Sequence, residues 1–186
     1  HSWTYTYNAS GQLIQVESGA RHISLVYEAG RLKTVSDHTG RQVTFNYDPT
    51  TGDLASVVDV NNKTWTYHYD GTSHRLTEVI DPLNHTIERT VYDPQGRAIQ
   101  QFNGEDELIV SLTYNADGTT TVTDGLGHST LHDYDVRNTL TNQTNALAAS
   151  SSKTFDHNFH PTSSTDTLNH TSQMEWSEDG ANLTKA

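Results

Sequence analysis

The sequence contains no cysteine, so disulfides and thiolate metal sites are excluded. It also has few cations, 11 Lys and Arg against 23 Asp and Glu, for a formal net charge of -12. Binding to nucleic acid or to an anionic membrane needs clustered Lys and Arg, so both are excluded as expected roles. No apolar run approaches the length of a membrane span. Hydrophobic residues make up only 32% of the 186 residues. Such a composition can accompany disorder, but the chain carries 9 Tyr, 4 Phe and 3 Trp, and they fall at regular intervals. Thr, Tyr, Val and Trp favour strands. A thin or hollow β-structure needs less apolar content than a filled globule.

The regularity is the main signal. Tyr7, Tyr27, Tyr47, Tyr69, Tyr92, Tyr114, Tyr134, Phe155 and Trp176 follow one another at spacings of 20, 20, 22, 23, 22, 20, 21 and 21 residues. Asn or an acid follows most of them, including Asp48, Asp70 and Asp93. A glycine arrives shortly after, as at Gly11, Gly30, Gly52, Gly96 and Gly118. An aliphatic pair then stands three apart, as in Leu13 with Val16 and Leu54 with Val57.

Each part has a physical reading. Before the turn, Trp3-Thr4-Tyr5-Thr6-Tyr7 and Trp65-Thr66-Tyr67-His68-Tyr69 alternate with period two, as a strand with one apolar face does. Asp or Asn starts a turn by accepting backbone amides two residues on. Glycine supplies a positive φ. A second strand follows, carrying Leu and Val. Residues three apart lie on opposite faces of a regular strand, so the Leu-x-x-Val spacing means either that both faces are partly covered or that a β-bulge shifts the register, and a bulge or a strong twist is expected. A second turn, as at Asp81-Pro82-Leu83-Asn84-His85, joins one repeat to the next. The reading is therefore all-β: nine tandem two-stranded repeats making a long curved antiparallel sheet, with roughly 18 strands of about five residues. Residues 1–186 read as one array without a domain boundary. Residues 145–152 sit where an inter-repeat turn is expected but are irregular in sequence, so an irregular loop is the alternative there, and Thr139 stands where a turn glycine is expected. Both termini fall inside the repeat pattern, so the array is expected to be part of a longer chain.

The pattern Tyr-x-Tyr-Asp-x-x-Gly-Arg-Leu-x-x-Val resembles the YD repeat of the Rhs family. It is carried by Tyr27-Glu28-Ala29-Gly30-Arg31-Leu32, Tyr47-Asp48-Pro49-Thr50-Thr51-Gly52 and Tyr92-Asp93-Pro94-Gln95-Gly96-Arg97. In bacterial Rhs proteins, the C component of insecticidal toxin complexes, wall-associated repeat proteins and teneurins, such repeats form a long sheet. In the bacterial members it spirals into a hollow shell around a toxic C-terminal domain. The resemblance implies a structural scaffold, a section of shell enclosing a toxin or other cargo. Two alternatives stand beside it: a self-assembling extracellular fibre or tube, and a surface adhesion or glycan-binding module. The expected partners are neighbouring repeats of the same or an identical chain and an enclosed toxin domain. The expected location is secreted or cell surface. The family's self-cleaving motif, Asp-Pro-x-Gly-Trp, is absent, since Trp176 follows Glu175.

No enzymatic role is expected. There is no Gly-x-Ser-x-Gly elbow, Gly-rich phosphate loop or helix. His128 with His132, and His157 with His160, are too few ligands for zinc. Glu105-Asp106-Glu107 and Asp133-Tyr134-Asp135 lack the acid pattern of a calcium loop. Trp3, Trp65 and Trp176 hold apolar-face positions of the repeat, where packing explains them better than sugar stacking. Neither a metal nor a cofactor is expected.

Overall fold

The period-two alternation is realised as strands along the whole chain. In the computed structural model, which describes residues 2–185, nineteen strands follow one another, interrupted by one turn of 3-10 helix at Gly71–Ser73. Strands β1 to β17 belong to one antiparallel sheet, and β18 with β19 form a separate hairpin. The fold is thus all-β, built from tandem antiparallel hairpins.

The chain divides into two compact units. The first comprises His1–Gly96 with Phe102–Asp106, the second Arg97–Gln101 with Glu107–Ala186. The first contains β1 (Thr4–Tyr7), β2 (Leu13–Ser18), β3 (Arg21–Glu28), β4 (Arg31–Asp37), β5 (Gln42–Tyr47), β6 (Leu54–Val58), β7 (Thr64–Tyr69), β8 (Leu76–Ile80) and β9 (Thr86–Tyr92). Strand β10 (Ala98–Asn103) is divided between the units. The second unit contains β11 (Leu108–Tyr114), β12 (Thr120–Asp124), β13 (Ser129–Tyr134), β14 (Leu140–Asn145), β15 (Ser150–Phe155), β16 (Pro161–Thr165), β17 (Thr171–Gln173), β18 (Glu175–Trp176) and β19 (Leu183–Lys185). Inside each unit a strand pairs with the next in sequence, so contacts run between sequence neighbours.

The expected bulge is present, and it explains the Leu-x-x-Val spacing. Tyr7 pairs with Leu13, but Thr6 pairs with Gln15, so Ile14 is the extra residue. Val16 then faces Tyr5, which puts Leu13 and Val16 on the face shared by Tyr5 and Tyr7. The same register shift falls at Tyr27, Tyr47, Tyr69, Tyr134, Phe155 and Trp176. Repeat six differs. Tyr114 pairs with Thr120 and Thr113 with Thr121, without a shift. Thr120, in the slot that Leu holds elsewhere, is the one buried residue among those described, at 5% exposure.

No hydrophobic side chain among the described residues is fully buried. That is the physical counterpart of the low apolar content: stability is spread over half-buried faces rather than concentrated in a core.

Two local expectations are corrected. Residues 145–152 are not irregular. Asn145 ends β14, its amide donates to the Ala149 carbonyl at 3.0 Å, and the Ala148 amide donates to the Asn145 carbonyl at 3.0 Å. Strand β15 resumes at Ser150. Asn145 supplies the turn acceptor that Asp supplies elsewhere, and Ala148 takes the left-handed conformation at φ 59°. Nor does Thr139 stand in the glycine slot. Asn138 does, with φ 60°, since Asn tolerates that region better than most side chains. Thr139 falls one position later.

Candidate functional site

The recurring site is the joint between consecutive repeats. It is built around the aromatics Tyr7, Tyr27, Tyr47, Tyr69, Tyr114, Tyr134, Phe155 and Trp176 together with Tyr92, each within or at the end of a strand that leads into a turn. In the first unit the Tyr27 phenol donates to the Leu13 carbonyl at 3.1 Å, Tyr47 to Leu32 at 2.9 Å and Tyr92 to Leu76 at 2.7 Å. In the second, Tyr114 donates to Ala98 at 2.8 Å. The Trp176 indole N–H does the same to Pro161 at 2.8 Å. Each acceptor is the first residue of the second strand, or its neighbour, in the preceding repeat. A phenol reaching back to one fixed carbonyl holds adjacent repeats at a set offset.

The residue after the turn completes the joint. Arg31 places its guanidinium 5.5 Å from the Tyr47 ring centre, Arg75 lies 5.6 Å from Tyr92, and Arg97 lies 4.1 Å from Tyr114. His160 stacks on Trp176 with centres 4.8 Å apart. The arginines also lie across the next turn glycine. A Cβ added at Gly96 would meet the Arg75 guanidinium at 2.7 Å, and one at Gly52 would collide with that of Arg31. Gly52 and Gly96 therefore serve both positive φ, at 79° and 83°, and close approach. Sequence reasoning placed Arg31 and Arg97 in the repeat but missed this stacking. The usable signal was an arginine directly after the left-handed turn residue, as in Gly30-Arg31, His74-Arg75 and Gly96-Arg97.

The Tyr69 joint is built around an acid and a histidine. Asp53 occupies the arginine position, and His74 the left-handed turn position at φ 60°. The His74 Nδ1 lies 2.8 Å from an Asp53 carboxylate oxygen. Partial burial, together with the neighbouring Asp53 charge, pushes the Tyr69 phenol up.

The turns share one hydrogen-bond plan. In the inter-repeat turns the Asp amide donates to the carbonyl four residues on, as for Asp81 with His85 at 2.8 Å. One carboxylate oxygen accepts the amides of the second and fourth residues, as for Asp81 with Leu83 and His85 at 2.8 Å each. This is a type I turn closed by a left-handed residue, a common three-residue hairpin loop. The second carboxylate oxygen faces a histidine Nδ1 at 3.0 Å in Asp124–His128, Asp156–His160 and Asp166–His170. These contacts hold the carboxyls below the usual carboxylate range. The His128 side chain leads for Asp124, the His85 amide for Asp81 and the His170 amide for Asp166. The Thr39 hydroxyl does the same for Asp37, the Thr51 amide for Asp48 and the Ser73 hydroxyl for Asp70. The Gly11, Gly96 and Gly118 amides donate to the Asn8, Asp93 and Asn115 carbonyls at 3.0, 2.9 and 3.2 Å. Gly30, at φ 80°, follows Ala29 in a two-residue loop.

Other candidates are not brought together into chemistry. Among the described residues no three His, Asp or Glu side chains converge to hold a metal. His132 faces Gln143 and Tyr134. Trp3 is 62% exposed, whereas Trp65, paired with Val57, and Trp176, in its joint, are half-buried. No helix is long and apolar enough to cross a membrane.

Comparison with known proteins agrees with this construction. The RHS Repeat family model matches residues 49–86. No curated protein matches the sequence. Among solved structures, a Photorhabdus luminescens Tc holotoxin pore aligns over 94% of this chain and 11% of its own, with 13% identity and a TM-score of 0.63. The TcdB2-TccC3-Cdc42 complex aligns over 98% and 15%, with 12% identity and a TM-score of 0.52. A TcdB2-TccC3 structure without its hypervariable C-terminal region aligns over 98% and 10%, with 17% identity and a TM-score of 0.52. This chain spans between 10% and 15% of the length of those chains. The family match is thus to residues 49–86, and the solved structures share the all-β fold along nearly the whole chain.

Proposed function

We propose that the chain is a section of an Rhs-type shell wall that encloses a toxin or other cargo domain, and that its role is structural rather than enzymatic. The observation that carries this reading is the repeated joint. Tyr47, Tyr92 and Tyr114 each combine a phenol bonded to a strand carbonyl with a stacked arginine, in a sheet without a fully buried hydrophobic side chain among the described residues. Such a construction extends by repetition and spends its polar contacts on holding itself together. A solved structure of similar fold supports it, since it is a Tc holotoxin pore. A shell of this kind acts outside the cell that makes it, which fits an acidic surface without a nucleic-acid-binding character. Its partners are further repeats and the enclosed domain.

Electron microscopy of the native, as-isolated protein tests the proposal. Closed hollow particles with density inside are expected. Long regular filaments would replace the shell with a polymerising fibre. Open monomers that bind a glycan array through Trp3 would point to an adhesion module.

A further inference from the structure

Loop tips in a soluble array favour Gly, Asn, Asp and Ser. The Asp81 turn of the first unit presents Leu83, 71% exposed, at its third position, and in the second unit three consecutive inter-repeat turns present leucine at that position. The turns are Asp124-Gly125-Leu126-Gly127-His128, Asn145-Ala146-Leu147-Ala148-Ala149 and Asp166-Thr167-Leu168-Asn169-His170. All three share one hydrogen-bond plan. The amides of Leu126, Leu147 and Leu168 donate to the side chain of the first turn residue at 2.9, 3.0 and 2.8 Å. The next residue is left-handed in each case. The three side chains therefore leave the backbone from equivalent positions, and they are 84%, 89% and 71% exposed. No turn requirement calls for leucine there.

The topology sets their spacing. The three turns lie at the same end of an antiparallel meander, with two strands between each turn and the next. Two interstrand spacings put the leucines roughly 9.6 Å apart. An α-helix repeats a side chain every seven residues at about 10.5 Å, so two steps along the row drift from a helix by only about 2 Å. The unit carries Arg97, Arg137, Lys153 and Lys185 against ten Asp and Glu, and it is net negative. Asp124 and Asp166, 51% and 52% exposed, flank the outer leucines.

We infer that Leu126, Leu147 and Leu168 form a docking row for a basic amphipathic helix of a partner, with apolar side chains at seven-residue spacing between Lys or Arg. A second copy of this chain fits the row less well. It carries the same charge, and three leucines offer on the order of 400 Å², about half of what each partner buries in a standard interface. A short cationic helix adds electrostatic attraction to the same apolar contact. This inference stands on the turn edge alone and does not depend on the shell reading.

The test uses the full chain and a fluorescein-labelled 18-residue peptide, helical, with leucine at heptad spacing and lysine on its flanks. Anisotropy should show binding that weakens with salt. The triple variant Leu126→Ser, Leu147→Ser, Leu168→Ser should weaken it at least tenfold, and Leu147→Ser alone about threefold. Circular dichroism should show the fold unchanged, because these side chains pack on nothing. A peptide with Glu in place of Lys should not bind. Unchanged affinity in the triple variant would sink the inference, as would equal binding of the Glu peptide. Leucine-dependent self-association in light scattering would overturn it in favour of a second copy. Leucine-dependent binding to phosphatidylcholine vesicles would overturn it in favour of a lipid surface.

Discussion

The two units are made of the same hairpins but are held together differently. In the first unit strands are rich in aliphatic and aromatic residues, and the joints use the Arg31–Tyr47 and Arg75–Tyr92 pairs with phenols bonded to strand carbonyls. In the second, the Arg97–Tyr114 and His160–Trp176 joints keep that chemistry, and Arg137 reaches the next repeat differently, donating to the Asp156 carbonyl at 2.7 Å and lying over the Phe159 ring at 4.6 Å. Thr119 and Thr139 take the cation's place in between. There, hydroxyls pair across strands, as in Thr123–Ser129 at 2.8 Å, Thr154–Ser163 at 2.7 Å and Thr165–Thr171 at 2.8 Å. What survives in both units is the turn plan and the bulge before it. Backbone geometry fixed by turns can therefore carry an array while the side chains between strands are exchanged.

Acid should separate the units most. The turn carboxylates are held below their ordinary range in the folded chain, so their stabilisation is present above the unfolded pKa and is lost as pH falls through and below it. The shifted groups are Asp37, Asp48, Asp70, Glu78 and Asp81 in the first unit. In the second they are Asp117, Asp124, Asp135, Asp156, Asp166 and Asp179. With more such groups and fewer apolar contacts, the second unit should loosen first, beginning at about pH 5. Variants that keep only Trp65 or only Trp176 report on one unit each by fluorescence. Simultaneous transitions would erase the distinction.

Side-chain truncation should come next in size. Tyr47→Ala removes a half-buried ring, a phenol bond and the seat of Arg31, and should cost about 3 kcal/mol in urea unfolding. Tyr134, 37% exposed, has no such set, and its change to Ala should cost about 1 kcal/mol. Equal losses would mean that the joints are not the stronger element of the first unit. Tyr92→Phe deletes only the 2.7 Å bond to Leu76 and should cost about 1 kcal/mol, read as a lower urea midpoint with unchanged slope. The smallest effect sharpens the contrast from the other side. Thr119→Arg places a guanidinium where it can lie over Tyr134, and should raise the stability of the second unit by about 0.5 kcal/mol. No gain would show that a cation at this position needs the surrounding aliphatic strands.

Much of this architecture was legible in the residues. The interval between Tyr27, Tyr47 and Tyr69 announced the repeat, and the Leu13–Val16 spacing announced a bulge that the register contains. The joints were less legible. Arg31 sits sixteen residues from Tyr47, a separation at which only pairing of neighbouring repeats brings the two together. Residues 145–152 looked irregular because Asn145 and Ala148 perform roles that Asp and Gly perform elsewhere, and a turn tolerates that exchange when its hydrogen bonds are kept.

By itself the sequence determined the strand period, the place of most turns and the resemblance to YD repeats, since these depend on contacts a few residues apart. Only the tertiary structure decided which carbonyl each phenol reaches, that Asp53 and His74 replace an arginine joint, and that Leu126, Leu147 and Leu168 stand in a row. Those relations join residues about twenty apart. The physical reason is that they depend on register, which is set jointly by turn length and bulge and which no single repeat contains.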